Sequence, residues 1–391
     1  MKVFNLFRYV ILLHLFTGCG VRENTNVEID SLSVVQSSLT AQAVNSSKIF
    51  SSVECIPLET TSESLLHMIN KIFRKDNFIY ISDINALYKF NEEGILIGKI
   101  QKQGTGPGEY LSISDFELET EDTVWILSRN NRCLYQYTWA GELLKQINLG
   151  YWASKMYLLS PEKMCLYIGH EKENTEHQVK IINLRTNEIT GNFLPIGEYE
   201  WKYLHVMSGI HYSKKLNGDG IYFFTIFNDT IYHISNDDIS PVFRINILGK
   251  SVPASFFKNN YQDVLDFYEQ YARKYDYPYG TVSFTEYESN YLFAYFMDKK
   301  RHFSIISKEK KESVCDFTMI TEDVLLSGYP IDLLEQNFLF LRNNELVILL
   351  LPSDIMEYAE ANLSRKEIEM IKERIKYTRE DQNPVLLIVN M

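Results

Sequence analysis

The chain has 391 residues, of which 45% are hydrophobic, so it is long and apolar enough to bury a large core and does not read as disordered. Its formal net charge is −12. With no basic run in the mature region, that balance argues against nucleic acid as a partner, because phosphate binding needs clustered Lys and Arg. Aromatic residues make up 14%, with Tyr the commonest at 26, which favours β structure because such side chains cover half-buried pleated surfaces well.

The N-terminus reads as an export signal. Lys2 and Arg8 give a positive start, and Val10 to Phe16 is apolar apart from His14. That stretch is too short to cross a bilayer as a permanent helix. Phe16-Thr17-Gly18-Cys19 then places small residues before a Cys. This resembles a bacterial lipobox, with Phe16 where Leu is usual, and the resemblance implies lipidation of Cys19. Residues 1–18 are therefore expected to be a lipoprotein signal peptide. Residues 19–50, polar and rich in Ser, Asn and Thr, are expected to be a flexible tether. The remaining 51–391 should form one domain.

That domain carries a repeating unit. Leu87-Tyr88-Lys89-Phe90 leads through Asn91-Glu92-Glu93-Gly94 into Ile95 to Ile100, and Leu134-Tyr135-Gln136-Tyr137 leads through Thr138-Trp139-Ala140-Gly141 into Leu143 to Ile147. The period of about 40–50 residues is that of a four-stranded propeller blade. With strands a to d counted outward from the axis, blade one is predicted near 69–74, 78–82, 86–90 and 95–100. Blade two is predicted at 113–119, 123–128, 133–137 and 143–147, and blade three at 155–160, 164–169, 178–184 and 189–194. Blade four falls at 210–215, 221–227, 230–234 and 242–247. A helical pattern, Val264, Phe267, Tyr268, Tyr271 and Tyr275, follows between Pro253 and Pro278. Blade five falls at 282–287, 291–297, 303–307 and 313–319.

Blade six has only strands 337–341, 346–351 and 384–390 in its own stretch, interrupted by two helical segments. Ser364 and Glu367 form a capping box for the second helix. The missing fourth strand is supplied by Val53 to Leu58, which joins the two chain ends in one sheet and removes a free edge. The expected fold is all-β: a six-bladed β-propeller with two helical insertions on one face.

The junction Gly104-Thr105-Gly106-Pro107-Gly108-Glu109-Tyr110 resembles the Gly-Pro-Gly-Glu-Tyr/Phe junction of NHL-type propellers. With Cys19, the opening strand Ile56-Pro57-Leu58-Glu59, the segment Phe227-Asn228-Asp229-Thr230-Ile231-Tyr232 and the terminal Asn383-Pro384-Val385-Leu386, the chain is similar to the six-bladed β-propeller lipoproteins of Bacteroides-type bacteria. The likeness covers roughly residues 50 to 391 and is strongest in one blade. It implies a fold and a lipid-anchored place in the cell envelope, at the outer membrane on its periplasmic or surface side. It implies no common reaction.

No motif fixes a chemistry. The glycine junction opens a strand and lacks the Gly-Lys-Ser/Thr of a phosphate loop. There is neither a Gly-x-Ser-x-Gly elbow nor a His-Glu-x-x-His. Cys55, Cys133, Cys165 and Cys315 have no short spacing, so they imply neither zinc nor a disulfide framework and are expected as buried thiols. No metal ligand set and no cofactor is indicated.

Topology says more. In an antiparallel blade the d-to-a and b-to-c connections emerge on one face, and nearly all long insertions here are of those two kinds. Both helical insertions should therefore lie on the face of Gly104 to Tyr110 and wall a site over the axis. Candidate ligand-binding residues on that face are Tyr110, Glu109, Trp152, Trp201, Tyr203, Asp83, Asn130 and Asp229, with Asn85 and Asn228 in the same b-to-c turns. Aromatic rings among short polar loops suit a glycan, a peptide or an envelope protein. The leading expectation is a non-catalytic binding lipoprotein. The alternatives are a lactonase-like or lyase-like enzyme with a metal or acid site at the axis, favoured by a bound divalent ion, and a scaffold of an outer-membrane assembly, favoured by a broad apolar patch.

Overall fold

The computed structural model describes residues 29–34, 40–170, 176–197, 210–214, 220–225, 228–236, 238–250, 253, 255–274, 277–286, 289–297, 299–333, 339–342 and 345–390. The first elements are β1 (Asp30–Val34), β2 (Thr40–Asn45), the short helix α1 (Ser46–Ile49) and β3 (Ser52–Pro57). Blade one follows as β4 (Ile69–Lys75), β5 (Phe78–Asp83), β6 (Leu87–Asn91) and β7 (Leu96–Ile100). Blade two comprises β8 (Asp115–Leu118), β9 (Thr123–Ser128), β10 (Cys133–Thr138) and β11 (Leu143–Asn148). Blade three comprises β12 (Lys155–Ser160), β13 (Lys163–Tyr167), β14 (His177–Asn183) and β15 (Ile189–Pro195).

Blade four holds β16 (Ile210–Lys214), β17 (Ile221–Thr225), β18 (Thr230–Ser235) and β19 (Asp238–Ile247). A 3-10 turn (Phe256–Lys258) and the helix α2 (Val264–Tyr268), continued as a π-helix (Glu269–Lys274), lead to blade five. That blade is β20 (Tyr279–Glu286), β21 (Asn290–Met297), β22 (Lys300–Ser307) and β23 (Ser313–Glu322), with β24 (Tyr329–Asp332) folding back on β23. Blade six takes β25 (Leu339–Arg342) and β26 (Glu345–Leu350), then the helices α3 (Pro352–Asn362) and α4 (Arg365–Arg374), then β27 (Val385–Asn390). Its outer strand is β3, paired antiparallel from Val385↔Pro57 to Asn390↔Ser52. The six expected blades and their closure are thus the observed fold.

The repeat works because its aromatic pair alternates to one side of strand c. Tyr88 and Phe90 stack at 6.3 Å between centroids, and Tyr135 and Tyr137 at 6.0 Å. All four rings are buried, each adding roughly 1.5–3 kcal/mol from burial. Gly94 and Gly141 follow with φ of +79° and +80°, a conformation that glycine adopts without strain. Their amides close the turns onto Asn91 O and Thr138 O.

Two expectations are corrected. Residues 19–50 are not a tether throughout. β1 pairs in parallel with β19 from Asp30↔Phe243 to Val34↔Ile247, and β2 pairs in parallel with β23 from Thr40↔Asp316 to Asn45↔Thr321. The polar composition of this stretch fits an outer edge strand, whose backbone is bound while one flank meets solvent. α1 is then fixed by Ser46 and Ser47, whose hydroxyls both donate to Asp323. The segment therefore straps the rims of blades four and five before β3 enters blade six. The second correction concerns the thiols. All four described cysteines are free, but only Cys133 and Cys165 are fully buried. Cys55 and Cys315 lie on β3 and β23, near the rim, and are partly exposed.

Candidate functional site

Within each blade the strands run antiparallel, so the d-to-a and b-to-c connections share one face. Both helical insertions are such connections. Their packing, however, differs from the expected wall over the axis. α3 and α4 bury Ile355, Met356, Ala359, Ile371 and Ile375 in a cluster with Leu326, Tyr329, Ile348 and Leu387, and that cluster extends to Ile49 and Phe50 of the strap. These helices fill the wedge between blades five and six. In the other insertion Phe256, Tyr261 and Phe267 are buried against one another, with centroids 5.2–5.7 Å apart. These rings form a satellite core and are closed to a ligand.

Tyr110 likewise sits in the core. It is fully buried, edge-on to Tyr135 and Tyr137, and its hydroxyl accepts from Lys102 N and faces the carbonyl oxygens of Asn85 and Ile100. Burial pushes its phenol up to about 12. Glu109 folds back into its own loop and accepts from Gly106 N at 2.7 Å, and a Cβ on Gly104 would overlap its carboxylate. The glycines thus make room for an internal carboxylate cap. Asp83 is fully buried and accepts from the amides of His67, Asn85 and Ala86 and from the Tyr88 hydroxyl, which ties the b-to-c turn to the link ahead of β4. Tyr110 and Asp83 are turned inward, and Glu109 caps its own loop, so these three residues organise the face. Asp229 is exposed in blade four, 3.7 Å from Arg244. Trp201 and Tyr203 lie outside the described residues.

Trp152 and Asn130 do meet on the surface, in company that the sequence did not indicate. Trp152 comes from the link between blades two and three and is half-buried. The b-to-c turn of blade two lies over it, with the guanidinium carbons of Arg132 and Arg129 at 4.5 Å and 5.5 Å from the ring centroid. Asn130, exposed in that turn, donates to Ser112 at 3.1 Å, and Asn131 accepts from Leu111 N at 2.7 Å. The turn thereby joins the links on both sides of blade two. No pattern in the sequence marks Arg129 or Arg132, because their meaning comes from a ring that arrives from another connection.

Beside this patch lies the axis. Lys71 on β4 donates to Asp115 and Glu117 on β8, each at 2.7 Å, and both acids are buried. The other oxygen of Asp115 accepts from Met156 N. Burial lowers Lys155, at the start of β12, below the ordinary lysine range. Lys71 therefore bridges the two acids at this end of the axis, and their oxygens serve blade-to-blade contacts. Among the described residues no group of three or more His, Cys, Asp or Glu is placed to hold a metal ion. In blade five His302 Nδ1 and the Ser304 hydroxyl both engage Asp316. A serine nucleophile would need the histidine to contact the hydroxyl itself, so this is a buried structural network.

Some exposed apolar side chains lie on this face. Met68, Ile84, Leu111, Leu248, Leu265, Val324 and Leu351 are 36–73% exposed and all lie in d-to-a or b-to-c connections. Ile113 N donates to Ile84 O, which brings the link of Leu111 against the turn of Ile84. Others lie elsewhere: Ile95 in the c-to-d turn of blade one, and Ile97, Leu143, Leu144 and Ile189 on the outer strands β7, β11 and β15.

Comparison with known proteins agrees on architecture. A crystal structure of a candidate exported protein from Bacteroides fragilis NCTC 9343 superposes with a TM-score of 0.71 at 18% identity, covering 93% of this chain and 99% of that one. A member of the DUF4221 family from Bacteroides vulgatus gives 0.48 at 11% identity, covering 88% and 96%. Virginiamycin B lyase from Staphylococcus aureus gives 0.39 at 11% identity, covering 66% and 71%. No curated protein matches. At 18% identity the likeness to the Bacteroides fragilis protein is one of fold. The model of a domain of unknown function, DUF4934, matches residues 31–390, and the chain belongs to that family.

Proposed function

We propose that this protein is a non-catalytic lipoprotein of the cell envelope, anchored through Cys19, that binds a ligand on the loop-rich face beside Trp152. The observation that carries the reading is the half-exposed indole of Trp152 beneath the guanidinium groups of Arg129 and Arg132, with exposed Ile84 and Leu111 on connections of the same face. Loops on a rigid scaffold are where recognition usually resides, and an exposed aromatic ring with polar neighbours suits an oriented ligand. The export signal, the Cys19 motif and the likeness to a candidate exported Bacteroides protein support the address. The likeness to NHL-type propellers rests on the Gly104 to Tyr110 junction.

A panel of glycans, peptides and metabolites, titrated against the purified full-length protein, tests the binding role. At least one ligand should bind, unchanged by the protein, and lose about tenfold or more in affinity in Trp152→Ala, as expected for a buried aromatic anchor. Ligands that bind with no sensitivity to Trp152→Ala or to Ile84→Ser with Leu111→Ser would move the site elsewhere. Conversion of a bound ligand to product would overturn the non-catalytic reading.

A further inference from the structure

We infer that the ligand of this face carries carboxylates, as a uronate-bearing saccharide does, and that Arg132, stacked on Trp152, is the group that reads them. The inference rests on the proposal that this face binds the ligand. A guanidinium held over an indole by its charge keeps N–H donors directed away from the ring, and their fork matches a carboxylate. Arg132 is exposed, stacks at 4.5 Å, and has no carboxylate partner among the described residues. Arg74, by contrast, is held between Glu54 and Glu345. In a chain of net charge −12, an accessible cation held in place by an aromatic ring is where an anion would be accepted.

The surroundings agree. The other side chains of this turn, Arg129, Asn130 and Asn131, and Ser112 bonded to Asn130, are neutral or cationic. Asp115 and Glu117, on the inner strand of the same blade, are already held by Lys71. None of these described side chains is a free carboxylate that would compete with a ligand's. Exposed Asn130 beside Ser112 supplies amide and hydroxyl groups suited to sugar hydroxyls. The turn offers no strand edge of the kind that extended peptides pair with, which favours a saccharide over an acidic peptide.

The test uses the purified full-length protein and oligogalacturonate, the same oligosaccharide with its carboxylates methyl-esterified, and a Glu-rich peptide. Calorimetric titration should show binding of the acidic saccharide that weakens with added salt and falls roughly tenfold or more in Arg132→Gln, the scale of one lost charged hydrogen bond. Arg132→Gly separates binding from folding: Arg132 has a φ of +56°, which glycine adopts freely, so this variant should melt no lower than the parent while losing the same affinity. Equal binding of the acidic and esterified saccharides, both lost in Trp152→Ala, would leave the binding face standing and overturn the carboxylate inference. Binding untouched by either substitution would overturn both. Tighter, Arg132-dependent binding of the peptide, or no binding of oligogalacturonate at all, would overturn the saccharide assignment.

Discussion

Gly94 shows how much one residue carries. It ends the turn between strands c and d of blade one with φ at +79°, and a Cβ there would overlap the carbonyl oxygen of Pro57, the last residue of the closing strand β3. Backbone strain and steric conflict therefore act together at the seam of the ring. Gly94→Ala should lose roughly 1–3 kcal/mol of stability, read as a lower urea midpoint at unchanged slope. Gly150 has a similar φ of +73° with open space around it, so Gly150→Ala should cost no more than the strain alone. At the same scale, Trp152 and Asn130 were legible as candidates because their connection type fixes the face on which they emerge. Tyr110, Glu109 and Asp83 shared that address, yet the same argument could not tell an outward side chain from one turned into the junction. Direction depends on which carbonyls and amides lie within reach, and the folded loops decide that.

Among the elements, the closure of blade six is the most consequential. Strand β3 is held to β27 by its ladder, and Arg74 on β4 clamps the seam from the neighbouring blade. Its guanidinium donates to Glu54 on β3 at 2.7 Å and to Glu345 on β26 at 2.9 Å. Glu54 is well exposed and Glu345 largely covered, so the clamp lies between a surface ion pair worth little and a buried one whose partner is costly to strand. Arg74→Ala should therefore cost roughly 1–3 kcal/mol. Native-state hydrogen exchange should locate the loss in β3 and β27 rather than in blades two and three. Uniformly faster exchange in all blades would show that the clamp is not specific to the seam. The capping box of α4 is present as read, with Ser364 Oγ facing Glu367 N and the Glu367 carboxylate accepting from Ser364 N.

For the whole molecule, the strap changes how the protein would be displayed. If every residue from Cys19 to Phe50 were free, the domain could stand on the order of 100 Å from an anchor. With β1 paired to blade four from Asp30, Cys19 can stand about 40 Å at most from that strand, the full reach of so few residues. An anchored propeller would then be held close to the membrane by the rim of blade four. Fatty-acid labelling of cells should mark the protein and fail in Cys19→Ala; label retained in that variant would sink the anchor. Among the described residues no helix is long and apolar enough to cross a membrane.

The sequence by itself determined the blade count, the strand order within each blade, the closure by residues 53–58 and the common face of the long connections. All of these follow from short-range patterns: alternation along a strand, a glycine at the c-to-d turn, and the parity of an antiparallel meander. Tertiary structure alone decided the rest. The pairing of β1 and β2 with strands more than 200 residues away has no local signature, since a parallel edge needs only a free backbone and tolerates polar side chains. The Arg132–Trp152 stack is likewise invisible in sequence, because a cation acquires its role only when a ring from another connection is brought beneath it.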